Sequence, residues 1–202
     1  MKPLTRLQFI DKYTSVARKL TEGTGLFPET LLSQAILESS GSYNINDWLV
    51  GGSKLSQVAN NLFGIKASKG WKGAVYNIDT REETPEGKSY IEKNATFRSY
   101  KTVEDSMADW VNFLKSNKRY TTGGVFKATT IQSQFEALKN SGYATASNYV
   151  NMLMGIYAPL KKAIESVPIK KTTIGFGTIA LVGLGLFFLA KKRKTRKLTI
   201  IA

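Results

Sequence analysis

The 202-residue chain contains no cysteine and no histidine. The first absence removes disulfides and thiolate nucleophiles, the second removes Ser-His-Asp triads, and the two together remove ordinary zinc sites. Hydrolases that work through a His-held zinc or a Cys/His pair are thereby excluded. Acid-base chemistry falls to Asp, Glu, Tyr or Lys, and carboxylate-driven glycoside cleavage fits that inventory best. Neither a metal nor an organic cofactor is implied.

Negative charge is also scarce. Against 29 Lys and Arg stand 15 Asp and Glu, a net charge of +14. The imbalance is uneven: residues 1–160 hold 19 Lys and Arg against 14 acidic residues, whereas 161–202 hold 10 against 1. The milder excess in the first part suits an anionic polymer and equally suits a solubilising surface.

What is present reads as one folded domain with an appendage. In residues 5–22, Leu7, Ile10, Tyr13, Ala17 and Leu20 recur at helical spacing before the break at Gly23-Thr24-Gly25. Pro28 suits the first turn of a second helix, where its missing amide proton costs little, and Leu31, Ala35 and Glu38 share one face of it. That helix stops at Ser39-Ser40-Gly41-Ser42. Glu38 therefore belongs to its last turn, pointing inward, where the helix dipole and apolar neighbours both raise a carboxyl pKa. Alternation at Ala74, Tyr76 and Ile78, a turn at 84–88, and then Tyr90-Ile91 and Thr96-Phe97 predict a β-hairpin. Helical spacing returns over 102–116, 130–141 and 146–164.

Residues 172–190 carry no charge, and 19 helical residues reach roughly 28 Å, close to a bilayer's hydrocarbon thickness. Lys170 and Lys171 precede this run, and Lys191, Lys192, Arg193, Lys194, Arg196 and Lys197 follow it. The pattern predicts a transmembrane helix with its C-terminal side in the cytoplasm. The expected organisation is a domain over 1–165, a basic linker over 166–171, the span over 172–190 and a basic tail over 191–202. The tail's charge serves as a topology anchor, or meets anionic lipid or nucleic acid, though no base-reading motif accompanies it.

Several ordered motifs carry a resemblance. They are Ser33-Gln34-Ala35-Ile36-Leu37-Glu38-Ser39, then Asn60-Asn61-Leu62-Phe63-Gly64-Ile65-Lys66 with Trp71-Lys72-Gly73, then Phe97-Arg98-Ser99-Tyr100. They continue through Ser106-Met107-Ala108-Asp109-Trp110, Asn117-Lys118-Arg119-Tyr120 and Tyr143-Ala144-Thr145 to Tyr149. Over about residues 5–160 the chain resembles the glucosaminidase family, glycoside hydrolase family 73.

The resemblance implies an α+β, lysozyme-like fold, with a mainly helical lobe, a small β-hairpin lobe and a groove between them. It also implies hydrolysis of peptidoglycan between N-acetylglucosamine and N-acetylmuramic acid, with Glu38 as proton donor. A second carboxylate in a Thr-x-Glu context corresponds to Glu82 of Thr80-Arg81-Glu82, with Glu83 adjacent. Tyr143 matches a groove tyrosine of the family and otherwise reads as a core aromatic. Asn61, Phe63, Gly64, Trp71 and Tyr149 are the expected substrate-binding residues, although Trp71 equally fills a core. The chain departs from the family in Ser40-Gly41-Ser42 after Glu38-Ser39 and in Ala146-Ser147 after Thr145, which bears on groove shape more than on the acid.

Two other readings share the fold: a lytic transglycosylase, and a noncatalytic wall-binding or assembly protein. The N-terminus shows no signal-peptide pattern. Two placements therefore stand: a phage virion membrane, or a host cell envelope where the span doubles as an uncleaved export signal.

Overall fold

A computed structural model describes residues 1–40, 49–83 and 88–168. Residues 84–87 of the expected turn, the 172–190 span and the basic tail lie outside the described residues. Among the described residues no helix is long and apolar enough to cross a membrane.

The chain enters helix α1 (Arg6–Thr21) through a capping box. Thr5 Oγ1 accepts from the Gln8 amide at 3.2 Å, and Gln8 Oε1 accepts from the Thr5 amide at 2.9 Å. The buried stripe of α1 is Phe9, Ile10, Tyr13, Thr14, Ala17 and Thr21. Leu7, expected on that stripe, is 63% exposed, and Phe9 takes its place in the core. Helix α2 (Pro28–Ser39) starts at Pro28 as the sequence predicts. It is covered on nearly every side: residues 30–36 and Ser39 are buried, and the helix packs against α1, α4 (Val103–Ser116), α6 (Ile131–Asn140) and α7 (Tyr149–Ser166).

Three short elements escaped the periodicity analysis: α3 (Lys54–Ala59), α5 (Lys118–Thr122) and a 3-10 turn over Val125–Lys127. Six residues or fewer are too short to reveal a helical repeat. The longer helices have legible starts. Thr102 and Asp105 form a capping box on α4, and Thr130 with Ser133 forms another on α6. At the far end of α7, Arg18 of α1 donates to the carbonyls of Val167 at 2.6 Å and Ile164 at 2.9 Å, supplying donors to a helix end that lacks intrahelical partners.

The β-hairpin consists of β1 (Val75–Glu83) and β2 (Ser89–Arg98), antiparallel, with Tyr76 opposite Phe97 and Thr80 opposite Glu92. It is longer than the alternation suggested, because a bulge interrupts the register between Ile78 and Thr80. Asp79 fastens this irregularity, accepting from the Asn94 amide at 2.9 Å and pairing with Lys93 at 2.7 Å, while Asn94 takes a left-handed φ of 55°. Burial along β2 is confined to Ala95 and Phe97, so the sheet's base enters the core and its far end stands in solvent.

The base of the hairpin is tied to the helical body through backbone hydrogen bonds and through the Arg98–Asp109 ion pair to α4. The Ala67 amide donates to Thr96 at 2.9 Å and the Arg98 amide to Ile65 at 3.0 Å, so the Ile65–Ala67 backbone runs beside β2. The turn immediately before it holds Phe63 and Gly64.

Candidate active site

Glu38 occupies the last turn of α2, as its distance from the Ser40 cap requires. Contrary to the expectation of an inward-pointing side chain, it is exposed, and it opens into a groove. The groove has two arms that share Glu38, Phe63, Gly64 and Lys66. One arm, about 580 Å³, runs along Phe113, Arg119, Tyr120 and Tyr143 to Ala146. The other, about 420 Å³, runs past Ser53, Leu55 and Asn61 to Thr80 and Phe97 of the hairpin. Glu38 therefore stands where the two arms meet.

Although it touches solvent, Glu38 sits deep among protein atoms, and this loss of hydration raises its pKa from an ordinary 4.5 to about 7. Burial is the cause of the shift, in line with the apolar surroundings expected for this turn. Arg98 does not neutralise it. Arg98 pairs with Asp109 at 2.7 Å, and Tyr100 donates to the same Asp109 oxygen at 2.6 Å.

Tyr143 lines the arm beside Glu38 and accepts a hydrogen bond from the Trp110 indole at 2.8 Å. Burial first, then the Glu38 charge, pushes its phenol well above the usual range, so it is a hydrogen-bonding group rather than an ionisable one. Its ring contacts Trp110, Tyr120 and Tyr149.

The second arm is bordered by Asn61, which is 1% exposed. Its Nδ2 donates to the carbonyls of Ile65 at 3.0 Å and Arg98 at 2.9 Å. Its Oδ1 accepts from the amides of Phe63 at 3.3 Å and Ile65 at 3.2 Å. All four contacts are to backbone, so the side chain shapes the turn that presents Phe63 and Gly64. Gly64 has φ +61°, a conformation that glycine adopts without penalty.

The structure thus gathers Glu38, Asn61, Phe63, Gly64 and Tyr143 at one groove. Two expected substrate contacts lie elsewhere. Tyr149 is 2% exposed, with its phenol engaged by the Gln34 amide of α2, and belongs to the core. Trp71 lines a separate hollow with Tyr100, Lys101 and Asp105, its indole donating to Ala74 at 3.0 Å and one ring face covered by Arg98. Glu82 and Glu83 pair with Tyr90 and Ser89 at the outer end of the hairpin; the described structure extends no further than their backbone. Conversely, Arg119, Tyr120 and Lys66 line the groove although the sequence reading gave them no role. All three belong to the ordered motifs, Lys66 at the end of Asn60–Lys66 and Arg119 with Tyr120 at the end of Asn117–Tyr120, which is the signal the sequence offers.

The chain's similarities agree with this geometry. The family described as Glucosaminidase, mannosyl-glycoprotein endo-beta-N-acetylglucosaminidase, matches residues 14–162. The chain is 34% identical over 161 residues to the peptidoglycan hydrolase FlgJ of Salmonella typhimurium, covering 79% of this chain and 48% of that protein. It is 35% identical over 153 residues to the exo-glucosaminidase LytG of Bacillus subtilis, covering 73% and 49%. Among solved structures it resembles the catalytic domain of the autolysin Auto from Listeria monocytogenes, with a TM-score of 0.64, 26% identity, and coverage of 81% of this chain and 89% of that one. The fold is lysozyme-like α+β, a helical lobe with a small two-stranded sheet. The chain spans about half the length of the curated relatives it matches.

Proposed function

Because the chain belongs to the glucosaminidase family, we propose that it hydrolyses the glycan strands of bacterial peptidoglycan between N-acetylglucosamine and N-acetylmuramic acid, with Glu38 as general acid. The observation that carries this reading is a carboxyl with a pKa of about 7 at the junction of two groove arms. Such a group holds a proton near neutral pH and can give it to a glycosidic oxygen as the bond breaks. The activities for which FlgJ and LytG are named support the substrate class.

As the leaving oxygen takes the proton, positive charge develops at the anomeric carbon. It is met either by water activated by a second carboxylate or by the substrate's own acetamido group. We favour Glu82 over Glu83 for the carboxylate route, because Glu82 stands two residues beyond Thr80 in β1, and Thr80 lines the arm that also holds Glu38. Tyr143 positions the acetamido group or the water by hydrogen bonding.

Mass spectrometry of products from purified sacculi, wild type beside Glu38→Gln, tests the proposal. New reducing N-acetylglucosamine ends made by wild type alone support it. Reducing N-acetylmuramic acid ends mean a muramidase, anhydro ends a lytic transglycosylase, and binding without any release a noncatalytic wall protein.

We further propose that residues 172–190 anchor the chain in a membrane, with the basic tail on the inner side. The 19 uncharged residues between cationic flanks support this placement. A phage virion membrane is the setting we favour, since a lytic enzyme carried there meets the wall during entry. Detection of the protein in purified virions, against its appearance only in host envelopes, decides between the two settings.

A further inference from the structure

Among the described residues, three charged side chains line the groove: Glu38, Lys66 and Arg119. Lys66 pairs with Glu92 at 2.6 Å. Arg119 differs, for among the described residues no carboxylate lies within ion-pair distance of it. Its guanidinium lies 4.6 Å over the ring of Tyr120, and Nη2 donates to the Tyr120 hydroxyl at 2.5 Å. Tyr120 is fully buried, so the ring beneath the guanidinium is packed on its other sides. On another side Gly142 borders the fork, since a Cβ at that position would stand 3.6 Å from Nη1. A guanidinium held in this way by a ring and a hydroxyl loses rotamer freedom before an anion arrives, which lowers the entropic cost of binding one.

We propose that Arg119 binds a carboxylate of the substrate in the arm walled by Tyr120, Gly142 and Tyr143, and so selects the acidic sugar over the neutral one. This deepens the hydrolase reading and rests on it. The glycan in question alternates neutral N-acetylglucosamine with muramic acid, whose lactyl ether ends in a carboxylate when bare and carries further carboxylates when extended by a stem peptide. Guanidinium and carboxylate match as two parallel N–H to O hydrogen bonds, and the rings of Phe113, Tyr120 and Tyr143 along this arm strengthen them by displacing water. A chain of N-acetylglucosamine alone offers Arg119 no such partner. The orientation follows: the muramic acid residue occupies the Arg119 arm, and its neutral neighbour lies across Glu38 toward Thr80 and Phe97.

Binding separates this inference from the question of turnover. The full-length Glu38→Gln protein, with and without Arg119→Gln, is titrated by calorimetry with three ligands: a neutral N-acetylglucosamine hexamer, glycan strands stripped of peptide, and strands retaining stem peptides. The expected result is that Arg119→Gln lowers the affinity ratio of acidic to neutral glycan by about tenfold, the scale of one charge-assisted hydrogen bond. Arg119→Lys recovers part of the ratio, and salt near 1 M erodes it only where residue 119 is charged. Loss on stripped strands identifies the lactyl carboxylate as the partner; loss confined to peptide-bearing strands identifies the stem. An equal fall for all three ligands, or none, overturns the proposal. Digestion of sacculi by wild type is scored separately, so an inactive wild type would refute the hydrolase reading while the affinity ratio still reports on Arg119.

Discussion

The indole N–H of Trp110 donates to the hydroxyl of Tyr143 at 2.8 Å, so that hydroxyl is fixed as an acceptor on its inner side and keeps its own proton for the groove. Tyr143→Phe removes both roles. Trp110 is fully buried, and its N–H is left without this acceptor, which costs about 1–3 kcal/mol of stability in chemical denaturation. On the catalytic side, losing a pre-aimed donor is expected to lower kcat by roughly 10- to 1000-fold with a smaller change in KM. A variant that loses stability and keeps its kcat would reduce Tyr143 to a packing residue.

Glu38 sets the pH dependence of turnover. Its protonated form is the acid, and burial raises its pKa to about 7. At pH values below about 7 it carries the proton; above that, kcat/KM is expected to fall about tenfold per pH unit. Glu38→Gln keeps the shape and loses the proton, so its residual rate is expected to lie about 100- to 10,000-fold lower and to lack this alkaline limb. An alkaline limb that survives in Glu38→Gln would assign it to another group.

Stability carries the same titration with a definite sign. Glu38 binds its proton more tightly folded, at about 7, than an ordinary carboxyl does at 4.5. The folded state therefore holds the extra proton between those values. Wild-type stability from this group is fully present below about 4.5, declines as pH rises and is lost above about 7. Glu38→Gln does not titrate, so its Tm is expected to gain on wild type across that window and to hold a constant lead above it. Parallel Tm curves from pH 4 to 8 would contradict the shift.

The sequence made the helices legible where capping residues and a long apolar repeat coincide, as at Thr5 before α1 and Thr102 before α4. Glu38 is legible from its motif, and its raised pKa from its place in the last turn of an apolar helix, but its opening into a groove is not. A residue can be solvent-touching and dehydrated at once only through the concavity around it, and periodicity contains no concavity. The positions of Tyr149 and Trp71, away from the Glu38 groove, are illegible for a related reason. An aromatic ring suits a groove wall and a core equally, and the partners that decide, Gln34 for Tyr149 and Ala74 with Arg98 for Trp71, are fixed by tertiary packing. The place of Arg119 depends on α5, which sets it over Tyr120 in the arm that reaches Glu38, and five residues carry no helical repeat to reveal that.

Asn61 links stability to groove shape. Its side chain satisfies two amides and two carbonyls of the Phe63–Arg98 region, and Phe63 in turn stacks on Trp110 with ring centroids 5.3 Å apart. Asn61→Ala leaves buried backbone groups without partners, and several such groups together are expected to cost about 2–4 kcal/mol in urea denaturation. Asn61→Asp is expected to be worse near neutral pH, because it replaces the Nδ2 donor with a negative oxygen facing the carbonyls of Ile65 and Arg98. Below its pKa the acid regains a donor, so the Asp variant should recover stability as pH falls, whereas the Ala variant should not. Since the same turn presents Phe63 and Gly64 to both groove arms, KM should rise in both variants even where they remain folded. Unchanged KM at full folding would mean that the groove wall holds its shape without Asn61.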